Sequence, residues 1–381
     1  MARTKKEDIK EESENEKVLT PEKQLKAHLK ANEGYHYNSE EQKKPYKVSM
    51  SSLNADLITG GGLSPCIALV CGETESGKSS LTLSVMSNFL DDKTKRRRGV
   101  LILAEGRNPD IERTGIPFTE NSETWVDGSC YILRTNIYEV ALQIIRELVL
   151  NNPLNIEYFY VIDSIHAMIA KSESEKSFDD AARVGSAASL ATHFLKTVTL
   201  PTIHNGHIGI LILQKRSSIK INPYERGDPK IIDTSAAHSL LHFATWIFEL
   251  GHRWNDDYFL EDKNDKKSKR IGHNCIVTIK KSPNETTGTS FKIPIVYKRK
   301  NNKSVWIEKE IFDMMLVWSS IKREGSQGSF ILSEDILKEI REIDPECPDK
   351  FRTQEKTEEY LEANPKVTDY LFGRFRKMLC S

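Results

Sequence analysis

Residues 72–80 read GETESGKSS. Gly72, Gly77, Lys78 and Ser79 fill the four fixed positions of a phosphate loop, and each residue type has a reason to be there. The glycines let backbone amides turn inward onto phosphate oxygens, Lys78 reaches the β and γ oxygens, and the Ser79 hydroxyl ligates Mg²⁺. The apolar run CIALVC ends at Cys71 just before the loop, and the helix-compatible run LTLSVMSNFL follows Ser80. A strand, a turn and a helix start whose dipole favours anions are the context this motif requires. The spacing predicts a Mg²⁺-nucleotide held by Gly72, Glu73, Thr74, Glu75, Ser76, Gly77, Lys78, Ser79 and Ser80.

Such a site needs a carboxylate on a neighbouring strand to hold the metal's water shell. Asp163 closes the apolar run YFYVID and is the candidate; a lone Asp at a strand end also serves as a turn residue. Glu105 follows VLILA at the end of the next strand along and would face the same crevice, where it would orient or deprotonate an attacking water; by position alone it also reads as a solvated glutamate. Gln214 ends IGILILQ in the same way. Its amide reads either as a strand-end cap or as a sensor of the terminal phosphate.

The elements that position these residues are legible as short continuous apolar runs at 66–71, 100–104, 129–135, 158–163 and 208–213. Unbroken rather than alternating runs mean strands covered on both faces. Helix-period segments at 138–150 and 186–200 lie between them, so the fold is α/β, a mostly parallel twisted sheet flanked by helices. Past residue 240 the runs ATWIFEL, NCIVTIK and FKIPIVY come without long helices and predict an antiparallel extension; the charged stretch at 255–270 reads as a solvated hairpin.

Three regions follow. Residues 1–45 are a charged segment whose one helix start is Thr20-Pro21, with Leu25 and Leu29 a turn apart; that helix is too short to stand alone and needs a core or a neighbouring subunit to dock on. Residues 46–322 are the core. Residues 323–381 form a small helical domain, including a helix near 332–343.

Lys plus Arg equals Asp plus Glu at 55 each over 381 residues, so any basic surface is local. The run KTKRRR at 93–98 reads as a solvated turn. Six cysteines without metal-ligand spacing fit a reducing compartment. No stretch is apolar enough for a bilayer, and MARTKKEDIKEESENEK lacks the centre of a signal peptide, so the expectation is a cytoplasmic protein without a membrane partner.

In this order, SSLNADLITGGGL, GETESGKSS, LILAEG, YFYVIDSIHAM, ILILQKR and IKKSPNE resemble the RecA family of DNA recombinases, nearest its bacteriophage UvsX-like branch, over residues 46–322. The resemblance implies a RecA-like ATPase core with ATP and Mg²⁺ as cofactors. Ser79 and Asp163 would stand at the metal, Glu105 at the hydrolytic water, and Gln214 as the switch joining the γ-phosphate to a DNA loop. Lys280 and Lys281 would reach a neighbour's γ-phosphate in trans, or are simply an exposed strand-end pair; Ser282 stands where RecA has a further lysine. Segments 171–185 and 215–237 match the DNA loops, with Arg183, Lys215, Arg216, Lys220, Arg226 and Lys230 as phosphate contacts; from composition alone such loops are also just solvated.

The implied partners are single- and double-stranded DNA, further copies of the chain in a helical filament joined through the amino-terminal helix, and single-strand-binding and mediator proteins, in a host cell's cytoplasm if phage-encoded. Two other functions fit the same motifs: a hexameric helicase-type motor, for which no late arginine is well placed as a finger in trans, and an ATP-switched regulatory protein, against which Glu105 and Gln214 both argue.

Overall fold

Helix α1 (Pro21–Ala31) starts where Thr20-Pro21 predicts, with proline in the first turn, where a missing N–H leaves no intrahelical bond unmade. It lies in a unit of its own, Met1–Gln42, and has no buried side chain. The second unit is Lys43–Ser381. The computed structural model describes residues 20–33, 36–37, 45–176, 186–215, 237–262, 265, 267–325 and 328–380.

In that unit α2 (Leu53–Thr59) leads into β1 (Cys66–Gly72), α3 (Lys78–Asp91) and β2 (Arg97–Leu103). Next come α4 (Ile111–Thr114), β3 (Phe118–Thr119), β4 (Cys130–Arg134), α5 (Tyr138–Leu150), β5 (Glu157–Asp163), α6 (Lys171–Ser174), α7 (Ser186–His204), β6 (Ile208–Gln214) and α8 (Ala237–Phe243). The chain continues through β7 (Trp246–Leu250), β8 (Tyr258–Leu260), β9 (Arg270–Lys281), β10 (Ser290–Val296) and α9 (Ile307–Val317). It ends with β11 (Ile321–Arg323), β12 (Phe330–Leu332), α10 (Glu334–Arg341), β13 (Lys350–Phe351), α11 (Gln354–Ala363) and α12 (Pro365–Cys380).

The large sheet runs β10-β9-β7-β1-β6-β5-β2-β4-β3, with β8 added on β9. All pairings from β7 to β3 are parallel, whereas β9 is antiparallel to β7, β8 and β10. Side chains of a strand alternate between faces, and here each face has its own helical cover. Ala68, Val70, Phe159, Val161 and Ile210 pack with Met86 and Phe89 of α3. Ile67, Leu69, Tyr160, Ile162 and Leu211 pack with residues of α5 and α7. That double cover is why the strands read as unbroken apolar runs, each buried Val, Leu or Ile adding roughly 1.5–3 kcal/mol.

The KTKRRR run departs from the expectation of a solvated turn. Arg97 and Arg98 lie in β2, and Arg97 is 4% exposed. Its guanidinium meets Glu157 Oε2 at 2.8 Å and Asp92 Oδ2 at 3.1 Å, and lies over the Tyr46 and Phe89 rings. A buried cation needs that full set of partners, and none of them is adjacent in sequence. The charged excursion after β7 is only partly solvated, because β8 pairs with β9 and Asp257 is buried.

The carboxy-terminal part is not purely helical. β11, β12 and β13 form an antiparallel sheet, and with α10, α11 and α12 they enclose a cluster that also takes in Leu53 of α2 and Ile311 and Phe312 of α9. Below that cluster Glu310 is 1% exposed and accepts hydrogen bonds from Ser52 Oγ (2.6 Å), Leu53 N (2.7 Å) and Asn54 Nδ2 (3.2 Å). Burial pushes its carboxyl up to about 8. Cys66, Cys71, Cys130, Cys275 and Cys347 are free and buried. Among the described residues no helix is long and apolar enough to cross a membrane.

Candidate functional site

The carboxyl ends of β1, β6, β5 and β2 open onto one edge of the sheet, and β6 lies between β1, which leads into the Gly72–Gly77 turn, and β5, which carries Asp163. A cleft of about 290 Å³ is there, lined among others by Lys78, Ser79, Glu105, Asp163 and Gln214. Five residues separated by up to 136 positions in the chain therefore meet at one place. Ligand sites of open α/β sheets form at such carboxyl edges.

The loop backbone explains its glycines. A Cβ on Gly72 would lie 2.6 Å from Ser76 Oγ and 2.8 Å from the Leu250 carbonyl, so only glycine lets the turn press against β7. Gly77 has φ +99°, a conformation that L side chains rarely adopt, and it sets the start of α3. The helix begins at Lys78, earlier than the apolar pattern alone placed it. Its first-turn amides consequently belong to the loop, as an anion cradle requires.

Lys78 is 8% exposed and its Nζ donates to the carbonyls of Gly72 (3.0 Å) and Glu73 (2.5 Å). Burial holds the ammonium below the usual lysine range, while Asp163 and Glu105 act in the opposite sense. Ser79 Oγ donates to Asp163 Oδ2 at 2.6 Å. Burial raises the Asp163 carboxyl above its ordinary value; the Ser79 hydrogen bond opposes this and the nearby Glu105 charge adds to it. The peptide bond from Asp163 to Ser164 is cis.

Glu105 lies two residues beyond β2, and its Oε1 accepts from both Ser164 Oγ and Gln214 Nε2, the latter at 2.6 Å. The amide of Gln214 is thus engaged with the candidate base rather than capping its own strand. Its backbone N–H donates to His166 Nδ1 at 3.1 Å, and the next residue, Lys215, donates its N–H to the Gly72 carbonyl at 2.9 Å. Through these bonds Lys215 is tied directly to the loop that begins at Gly72.

Lys280 and Lys281 do not line the cleft. Lys280 Nζ lies 3.4 Å from Glu249 Oε2, and Lys215 Nζ lies 2.9 Å from Oε1 of the same carboxylate. Lys281 Nζ donates to the carbonyls of Leu241 (3.0 Å) and His242 (2.8 Å), closing the end of α8. Of the residues expected to contact DNA, Lys215 alone is described. Arg183, Arg216, Lys220, Arg226 and Lys230 lie outside the described residues.

Two arginines and a second pocket escaped the sequence reading. Arg113 Nη2 donates to the Ser80 carbonyl at 3.3 Å, and Arg253 Nη2 donates to the Glu75 carbonyl. Both line the polar cleft and also an adjoining pocket of about 220 Å³ walled by Ile293, Ile295, Val305 and Tyr297. His273 Nδ1 and Ser304 Oγ in that wall are buried without a hydrogen-bond partner. The signal available beforehand was only a short insertion after each strand, GRNPDIERTG and GHRWNDD, with no fixed spacing.

Ser79 and Asp163 supply two hard oxygen donors, and among the described residues no cluster of three or more His, Cys, Asp or Glu is arranged for a metal. That donor set suits an ion that keeps water and phosphate oxygens in its shell, as Mg²⁺ does. The arrangement brings a buried ammonium, a carboxylate bonded to the Ser79 hydroxyl and a second carboxylate bonded to Gln214 onto one cleft. No protein-family model and no curated protein matches the chain.

Proposed function

We propose that this chain is a DNA-dependent ATPase of the RecA type, forming helical filaments on single-stranded DNA and pairing it with homologous duplex. The observation that carries the ATPase reading is the convergence on one cleft of Lys78, the Ser79–Asp163 pair and the Glu105–Gln214 pair. Mg²⁺-ATP would supply the transferable phosphoryl group and the charge that polarises it. The chain's own residues do the rest: loop amides and Lys78 hold phosphate oxygens, Asp163 and Ser79 hold the metal, and Glu105 takes a proton from water. The apolar pocket beyond Arg113 and Arg253 receives the base.

The recombinase reading rests on the six ordered sequence stretches and on the tie between Gln214 and Glu105. In it, a change at the terminal phosphate moves Gln214 and so the segment that begins at Lys215. The mixed sheet with its antiparallel β9 and β10 is compatible with this family's core.

ATP hydrolysis measured with and without single-stranded DNA, with the same samples viewed by electron microscopy, tests the proposal. Stimulation by DNA together with extended helical filaments is the expected result. Closed rings would favour a motor, and turnover indifferent to DNA would favour a switch.

A further inference from the structure

Arg253 stands three residues beyond β7, at the neck where the polar cleft meets the apolar pocket. Its Nη2 donates to the Glu75 carbonyl, and Glu75 itself has φ +64° in the phosphate loop. Its Nε is buried without a hydrogen-bond partner. On the pocket side it hydrogen-bonds Tyr297 and faces His273, which burial first and the Arg253 charge second push down to about 4, so the imidazole is neutral at pH 7. Arg113 lines both the cleft and the pocket as well.

A guanidinium is a planar fork matched to two oxygens of an anion. Here it is spent on a neutral carbonyl and a phenol, and one of its N–H donors is buried and unmatched. Leaving a buried donor in that state is unfavourable, so an anion that meets it gains correspondingly. A nucleotide whose phosphates lie in the loop and whose base lies in the apolar pocket passes through this neck, and the group that stands there is the phosphate next to the nucleoside.

We infer that Arg253 is a positioning residue that contacts the phosphate nearest the nucleoside and thereby ties the phosphate loop to the base pocket. This rests on the nucleotide reading above. It makes the site selective for nucleoside phosphates over both free phosphate and bare nucleosides. The residue acts within its own protomer, so its contribution does not depend on assembly.

Competition against a fluorescent ATP analogue, with ATP, ADP, AMP and adenosine as competitors, separates the outcomes for the wild type, Lys78→Ala, Arg253→Ala and Arg253→Lys. Arg253→Ala is expected to weaken ATP, ADP and AMP by about tenfold or more while adenosine changes less than about twofold, the loss expected for a charge-assisted hydrogen bond. Lys78→Ala should weaken ATP and ADP but spare AMP. Arg253→Lys keeps the charge and loses the fork, so AMP should weaken by an intermediate factor; this variant decides the matter if Arg253→Ala does not fold. Lys78-dependent ATP binding that is the same in Arg253→Ala as in the wild type overturns the inference alone. So does an equal loss for adenosine and AMP, which would make the residue a prop for the pocket wall. A wild type that binds no nucleotide overturns both this and the nucleotide reading.

Discussion

Ser79 Oγ donates to Asp163 Oδ2 at 2.6 Å, joining the first turn of α3 to the end of β5 across 84 positions of sequence. Both residues line the cleft, and a divalent ion held by them would need the carboxylate ionised. Because burial raises the Asp163 carboxyl, protons compete with the metal at a higher pH than an ordinary aspartate would allow. The acid limb of Mg²⁺-dependent ATP binding should therefore lie above the usual carboxylate range, with binding lost as pH falls through it. Asp163→Asn should weaken ATP in Mg²⁺ by about tenfold or more yet leave binding in EDTA unchanged, and it should have no such limb. Titration calorimetry over pH 4–8 (about the range set by ordinary and raised carboxylates) makes the comparison; identical profiles for both proteins would remove Asp163 from the metal.

Glu105 and Lys78 should separate binding from turnover. Lys78 sits in the loop, so Lys78→Ala should weaken ATP binding and abolish nucleotide-dependent DNA binding. Glu105 is held by Ser164 and Gln214, and Glu105→Ala should bind ATP and assemble while turnover falls by about a hundredfold or more, the usual scale for losing a general base. Single-turnover hydrolysis beside equilibrium binding checks this. Equal losses in both variants would mean that Glu105 supports the loop rather than the water.

The strands and the glycine turn between β1 and α3 were legible because their signals are local: a run of apolar residues, a glycine spacing. Glu105, Asp163 and Gln214 were also legible, since strand ends of a parallel sheet share one edge and each sits at or just past such an end. Arg97 and Arg253 were not. Each is defined by partners distant in sequence, Glu157 and the rings of Tyr46 and Phe89 for one, the Glu75 carbonyl for the other. A run of basic residues reads as solvated unless the partner strand is known, and the three short strands near the carboxy terminus are too brief to show alternation.

Arg97 supplies a stability prediction. Its pair with Glu157 leaves the two side chains 5% and 8% exposed. Removing one member strands the other's charge in the core, which costs about 3–5 kcal/mol. Arg97→Ala should be destabilised on that scale in urea, whereas Arg96→Ala, a half-exposed neighbour paired with Asp127, should lose less than about 1 kcal/mol. Similar losses in the two would place Arg97 in solvent.

Glu310 gives the fold a pH dependence of its own. Its folded value is about 8 against an ordinary carboxylate when unfolded, so the unfolded chain ionises first as pH rises. The stabilising contribution is complete below the unfolded value and is lost as pH climbs through about 8. Glu310→Gln cannot ionise and should therefore gain on the wild type between pH 5 and pH 8 (about the window of that loss) in thermal melts. A gap between the two that stays constant with pH would show that the three donors around Glu310 hold it charged throughout.

Lys280 and Lys281 are adjacent in sequence but do different work in the structure, and their single substitutions should differ accordingly. Lys281 donates to two carbonyls at the end of α8, so Lys281→Ala leaves those acceptors unmet and should cost about 1 kcal/mol of stability. Lys280 is more open, its side chain 39% exposed, and it pairs with Glu249 at 3.4 Å. Lys280→Ala should melt within about half a kcal/mol of the wild type. If an ammonium is supplied to a neighbouring protomer, Lys280→Ala should nonetheless lose DNA-stimulated turnover, with single-protomer ATP binding intact. Mixing it with Glu105→Ala protein then discriminates: each variant lacks a different half of a shared site, so mixed filaments should recover part of the activity that neither has alone. No recovery, with filaments seen in the same samples, would confine Lys280 to its own chain.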